Sequence, residues 1–221
     1  VRDIFLDKFL FTDQLKRLKE GGILWPVFER FCEIDLHPKT VSNIEMGYIF
    51  EELILKFSEQ SNETAGEHFT PREVIRFMVN LLFAEDDQAL HQPGIVRTMY
   101  DPACGTGGML SVAEQHLAGF NPQARLQVYG QELNDESYAI CKADMLIKGQ
   151  NIDHIVFGSS FSKDGFHRDT FDYMLANPPF GVEWRPDEHY IRKEQENQGF
   201  DGRFGAAPNV LAHAAVDLVL C

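Results

Sequence analysis

The chain has no apolar run that approaches the length of a membrane span. Its hydrophobic residues, 44% of 221, are interrupted by charge throughout, whereas a span needs about 20 consecutive apolar positions. The first residues carry charges and lack a hydrophobic stretch with a cleavage site, so no secretory signal is expected. Cysteine is scarce: Cys32, Cys104, Cys141 and Cys221 are scattered without metal-ligand spacing, so no metal site is expected. Cys104 lies inside a glycine-rich stretch and reads as a small buried filler, not a nucleophile. A reduced, cytoplasmic protein is the corresponding expectation. Basic residues are also short, with 20 Lys+Arg against 34 Asp+Glu and a net charge of −14. A protein that grips DNA unaided needs clustered Lys and Arg to neutralise phosphates. Either the substrate is not nucleic acid, or another subunit supplies much of the grip. Repeats and low-complexity tracts are absent. The chain starts at Val1 and its apolar end, residues 210–221, stops in mid-pattern, which reads as a fragment or a truncated product.

What is present divides into a helical N-terminal region, residues 1–66, and an α/β region, residues 67–221. Apolar spacing predicts helices over 3–18, ended by Gly21-Gly22, over 25–34 and over 44–57, with a polar loop at 58–66. Thr70 and Glu73 have the spacing of a capping box, with Pro71 at the first helical position. That pattern accounts for Thr70, Pro71 and Glu73 but not for Glu67, His68 and Phe69. A helix N-terminus there, lying against a sheet, also suits a ligand carboxylate.

Two stretches carry chemistry. Residues 95–100 are β-rich and run into Asp101-Pro102-Ala103-Cys104-Gly105-Thr106-Gly107-Gly108, followed by a helical pattern over 109–117 with Gly119 as its stop. Strand, glycine loop and helix together let backbone N–H groups approach a ligand, aided by the positive end of the helix. The next strand, 126–132, ends in Glu132, an acid placed to take ribose hydroxyls. A helix over 134–148, closed by Gly149, and a third strand over 153–157 follow, the latter leading to Gly158-Ser159-Ser160. A fourth strand, 171–176, ends in Asn177-Pro178-Pro179-Phe180. Two prolines fix two φ angles and remove two donors. Asn177 adds a side-chain carbonyl and Phe180 a flat face, a set suited to a planar ring with an exocyclic amine. Residues 181–209 read as a long polar loop containing Trp184, Arg185, Arg192, Lys193 and Arg203, whose charges favour a solvated face over a binding role.

The order Phe69-Thr70-Pro71, then the glycine stretch, then Asn-Pro-Pro-Phe resembles amino-group DNA methyltransferases of the γ arrangement. The fuller strings Gly66-Glu67-His68-Phe69-Thr70-Pro71-Arg72-Glu73 and Phe171 through Trp184 resemble the modification subunit of type I restriction–modification systems. The resemblance implies an α/β, Rossmann-like sheet that uses S-adenosylmethionine, with its C-terminal strands missing here, because too few residues follow Ala176 for seven strands. It implies methylation of the exocyclic N6 of adenine in double-stranded DNA, alongside a separate specificity subunit and a restriction subunit. It assigns Asn177, Pro178, Pro179 and Phe180 to the target base. To the cofactor it assigns Glu67, His68, Phe69, Thr70, Pro71 and Arg72; Asp101, Pro102, Ala103, Cys104, Gly105, Thr106, Gly107 and Gly108; Glu132 and Leu133; and Ser159 and Ser160. Ser159 departs from the Asp or Asn usual at its position and reaches less far toward the cofactor's adenine.

In the mechanism so implied, the Asn177 side-chain oxygen and the Pro178 carbonyl hold both amine protons of a flipped-out adenine stacked on Phe180. Two other readings stay open. One is a protein-glutamine N5-methyltransferase, which meets the same chemical problem with Asn-Pro-Pro and a ring. The other is an inactive remnant or assembly module that only binds partner subunits through the apolar faces of its first helices.

Overall fold

The structure, a computed structural model, describes residues 6, 10–60, 70–179 and 183–205. Three helices come first: α1 (Phe11–Glu20), α2 (Leu24–Cys32) and α3 (Asn43–Gln60). The sheet region follows as α4 (Arg72–Ala84), α5 (Asp87–Leu90), β1 (Val96–Asp101), α6 (Gly108–Phe120), β2 (Arg125–Glu132), α7 (Asp135–Lys148), β3 (Ile155–Phe157), β4 (Tyr173–Met174) and α8 (Glu188–Gln198). No described helix is long and apolar enough to cross a membrane.

The four strands are parallel, in the order β3-β2-β1-β4. The chain therefore moves outward from β1 through β2 to β3, then returns to the far side of β1. The reversal point lies between β1 and β4, where open α/β sheets place a ligand crevice beyond the strand ends. Alternation along the strands buries both faces. Met99, Leu126 and Val128 point toward α4, α6 and α7, where Ile75, Leu110, Leu117 and Met145 complete the core. Burying each of these large side chains contributes about 1.5–3 kcal/mol. Tyr100 and Tyr129 point the other way, into an aromatic group with Phe166 and Phe171 from the β3–β4 connection, and His154 stacks on Tyr129 at 4.1 Å.

Local chemistry explains the best-formed elements. The Asn134 side chain caps α7 by accepting from the Ser137 N–H at 2.9 Å, and Gly149 ends it in the left-handed region. A buried ion pair, Lys148 to Asp144 at 2.5 Å, fixes the last turn of that helix. The Lys148 stem lies against Gly47 of α3 so closely that a Cβ there would stand 2.5 Å from its Cε, which ties the helical region to the sheet. By contrast, α1 and α2 bury no residue at all.

Several expectations need correction. The first helix begins at Phe11, after a left-handed Leu10; part of the range 3–18, and most of the 58–66 loop, fall outside the described residues. The third helix runs on to Gln60. Helix α6 passes through Gly119 and ends at Asn121. The residue before Pro122 is biased away from helical angles, and the Asn121 amide donates to the Leu90 and Gln92 carbonyls. The fourth strand is paired only at Tyr173 and Met174. Residues 181–209 are not all loop, because they contain α8, held by buried Ile191 against Phe204, Phe161 and Trp184.

Candidate active site

Both strands that flank the reversal point deliver a motif. Tyr100 lies opposite Met174 across the β1–β4 pair, and the Leu175 N–H donates to the Tyr100 carbonyl at 3.1 Å. The glycine loop leaves β1 and the Asn-Pro-Pro corner leaves β4, side by side.

The loop is shaped from below. Asp101 is 1% exposed and accepts the Ala103 N–H at 3.0 Å. Burial pushes its carboxyl up to about 7, partly offset by that hydrogen bond. The Cys104 N–H donates to the Gln131 carbonyl at 3.0 Å. Its thiol is held far above its ordinary range by a hydrogen bond with Cys141 and by burial, which fits the expected role of filler. Gly105 and Gly107 are left-handed, at φ of 53° and 83°. A Cβ on Gly107 would lie 2.7 Å from the Cys141 Sγ. Gly107 is also the N-cap of α6 and has no side chain to satisfy the helix's first N–H groups, which leaves donors and positive potential at the crevice.

Glu132 ends β2 beside this loop. One oxygen accepts the Gly105 N–H at 2.8 Å and the other the Asn134 N–H at 2.7 Å. The carboxylate thus braces both the glycine loop and the entry to α7, and an ionised carboxylate has further lone pairs with which to accept hydrogen bonds. Leu133, 61% exposed, forms an apolar rim next to it.

The end of β3 is stitched to its surroundings. The Ser160 hydroxyl donates to the Pro102 carbonyl at 2.8 Å, and the Ser159 hydroxyl donates to Asp187 at 2.7 Å while accepting the Phe161 N–H at 3.2 Å. Sequence reasoning did not single out Asp187. Its carboxylate stands where the short Ser159 side chain stops.

At the opposite rim, Thr70 approaches the Asn-Pro-Pro corner: the Asn177 Nδ2 donates to the Thr70 Oγ1 at 3.0 Å. The expected capping box is therefore corrected. Pro71, with φ −56° and ψ 137°, is the N-cap of α4, and no side chain caps the helix. Proline supplies the extended geometry an N-cap needs, leaving the Thr70 hydroxyl for a tertiary contact. Arg72 lies over the Tyr48 ring at 4.3 Å, and Ile75, one turn into α4, reaches the start of α6, 3.7 Å from where a Gly108 Cβ would be. Thr70 is thus brought to the Asn-Pro-Pro corner, and α4 meets the start of α6 through Ile75. Glu67, His68, Phe69 and Phe180 lie outside the described residues.

The basic residues of the 181–209 segment are largely neutralised. Arg185 pairs with Glu183, Arg192 with Glu188, and Arg203 with Asp164 and Glu194. Arg203 also donates to the Ser160 and Phe161 carbonyls, so it serves the fold. Among the described residues no cluster of His, Cys, Asp or Glu is suited to hold a metal ion.

Comparison with known proteins gives a consistent result. The family model for N-6 DNA methylase matches residues 42–216. The chain is 30% identical over 186 residues to the type I restriction enzyme EcoEI methylase subunit of Escherichia coli, covering 80% of this chain and 36% of that protein. It is 30% identical over 173 residues to the MjaIX methylase subunit of Methanocaldococcus jannaschii, covering 75% and 29%. The type I restriction–modification methyltransferase subunit of Streptococcus thermophilus superposes with a TM-score of 0.64 at 24% identity, over 88% of this chain and 40% of that one. The chain spans about a third of the length of the curated relatives it matches.

Proposed function

Since the chain belongs to the N-6 DNA methylase family, we propose that it forms the cofactor and target-base site of an S-adenosylmethionine-dependent enzyme that methylates adenine N6 in duplex DNA. In this reading it is part of the modification subunit of a type I restriction–modification system. The observation that carries the reading is the convergence of three motifs, distant in sequence, on the β1–β4 reversal point, tied by the Asn177–Thr70 hydrogen bond.

S-adenosylmethionine, when bound, supplies an already activated methyl group. The residues present fit it: the left-handed Gly105 and Gly107 form a tight loop with no room for a side chain between Gly107 and the core at Cys141, and the uncapped α6 terminus offers donors for a carboxylate. Thr70, Pro71 and Arg72 border that end. Asp101, Pro102, Ala103 and Cys104 set the loop's shape, and Gly105, Thr106, Gly107 and Gly108 bring its backbone to the ligand. Glu132 takes the ribose, Leu133 covers one side of the adenine, and Ser159 and Ser160 close the β3 side. Glu67, His68 and Phe69 keep the cofactor role that the resemblance assigns.

On the base side, the Asn177 Oδ1 and the Pro178 carbonyl accept hydrogen bonds from the two N–H groups of the target amine. This draws the nitrogen lone pair out of the ring and aims it at the methyl group. Pro179 stiffens the turn, and stacking on Phe180 recovers roughly 1–3 kcal/mol of the cost of unstacking the base. The acidic charge and the paired arginines assign most of the phosphate grip to a separate specificity subunit, with a restriction subunit as the further partner, in the cytoplasm.

The test is methyl transfer from tritiated S-adenosylmethionine to duplex DNA, followed by digestion to nucleosides. Label in N6-methyl-2′-deoxyadenosine is expected. Label in a protein glutamine, or no transfer by a chain that still binds cofactor, overturns the proposal.

A further inference from the structure

We propose that Thr70 is the positioning residue for Asn177: its hydroxyl accepts one N–H of the Asn177 amide and thereby turns the Oδ1 end toward the target amine. The inference rests on the base-binding reading of Asn177. A primary amide is nearly symmetric in shape and opposite in chemistry at its two ends. Facing an amine donor, only the oxygen end is productive, and a half-turn of the side chain would set donor against donor. Backbone stiffness from Pro178 and Pro179 does not choose between the two orientations. A fixed acceptor on the nitrogen side does.

Thr70 has the attributes of that acceptor. It meets the Asn177 Nδ2 at 3.0 Å across 107 residues of sequence, in a part-buried position. Pro71 takes over the N-cap of α4, so helix capping does not compete for the hydroxyl. The Pro71 carbonyl accepts the Ile75 N–H at 3.0 Å, and Ile75 is 2% exposed in the core next to Gly108. The hydroxyl is thereby anchored through α4 to the helix that carries the glycine loop.

The experiment compares Thr70→Val, which keeps the shape but removes the acceptor, with Thr70→Ser, which keeps the acceptor. Thr70→Val is expected to lower kcat for DNA methylation by roughly tenfold to a hundredfold, the effect of freeing one part-buried amide donor. The loss should persist at saturating cofactor, and Thr70→Ser should recover most of the rate. If Thr70 instead serves only the cofactor, affinity falls and kcat at saturating cofactor does not, which overturns the proposal. A second readout needs no turnover: the 15N side-chain signal of Asn177, identified by its loss in Asn177→Ala. It should show one slowly exchanging proton in the wild type and in Thr70→Ser, and none in Thr70→Val. If the wild type transfers no methyl group, the parent reading fails while the amide signal still decides the contact. An amide signal indifferent to Thr70→Val, or an unchanged kcat in an active protein, overturns it.

Discussion

The two corners at the reversal point are made stiff in opposite ways. The glycine corner after β1 is held by a web of hydrogen bonds: Ala103 to Asp101, Cys104 to Gln131, Gly105 to Glu132, Gly107 to Cys104, and Ser160 to Pro102. It depends on glycine where a side chain would strike Cys141. Among the described residues, the corner after β4 has one strand-end bond, Leu175 to Tyr100, and one side-chain contact, Asn177 to Thr70. There the rigidity is covalent, from two proline rings, which fix the chain without using up carbonyl acceptors. In the proposed reading, the web cradles an unchanging cofactor, and the stiff frame keeps acceptors open for a base taken out of a duplex.

Substitutions sharpen this contrast, and the largest effect belongs to the web. Gly107→Val combines left-handed strain with a clash at the Cys141 Sγ, each costing about 1–3 kcal/mol. Calorimetric titration should show cofactor affinity reduced roughly a hundredfold or more; unchanged affinity would contradict the loop's assignment. At the other corner, Asn177→Ala should cut methyl transfer to roughly a hundredth or less, since an acceptor and its orientation are both lost. Cofactor binding should survive. Wild-type turnover in that variant would remove Asn177 from the base site.

A smaller effect comes from beneath the glycine corner. Asp101 has a folded pKa of about 7 against an ordinary 3.8, because it is buried. A carboxyl raised in this way favours the fold fully below its unfolded pKa and loses that contribution as pH climbs toward 7. Between pH 5 and pH 8 the wild type should therefore lose about 2–3 kcal/mol that Asp101→Asn does not. For a chain of this size that is roughly 5–10 °C in the gap between their melting temperatures, in favour of the variant at the higher pH. A gap that does not change with pH would show that Asp101 is ionised throughout. The smallest effect is expected one residue past the left-handed glycine. A Cβ on Gly108 meets only Ile75, at an ordinary 3.7 Å, so Gly108→Ala should leave the melting temperature within about 2 °C. Gly107→Ala should lower it by clearly more, and equal effects would mean that the loop yields.

Much of the frame was legible because its signals are local. The Asn134 cap and the Gly149 stop of α7, the glycine loop between β1 and α6, and the strand ending at Glu132 each declare themselves within a few residues. The failures arose where one residue type serves two physical ends. A threonine followed by proline and glutamate has the form of a capping box, yet Pro71 supplies the N-cap geometry and Thr70 is spent on a partner 107 positions away. Gly119 looks like a stop, but α6 continues until Pro122 forbids it. Helix α8 leaves little trace in the sequence because it buries only Ile191, and the residues that hold it, Phe161, Trp184 and Phe204, lie outside its own periodicity. Asp187 escaped notice for the same reason: only the folded chain brings it to Ser159.

The central claim is that the two corners serve a single crevice across which a methyl group passes. It is tested most directly with a bisubstrate compound in which adenine N6 is tethered to the sulfur position of the cofactor. If the corners share the crevice, calorimetry should show the compound binding at least about tenfold more tightly than S-adenosylhomocysteine, with Asn177→Ala erasing that gain and Gly107→Val erasing binding altogether. A compound that binds no more tightly than the cofactor half alone, and is indifferent to Asn177, would contradict the account.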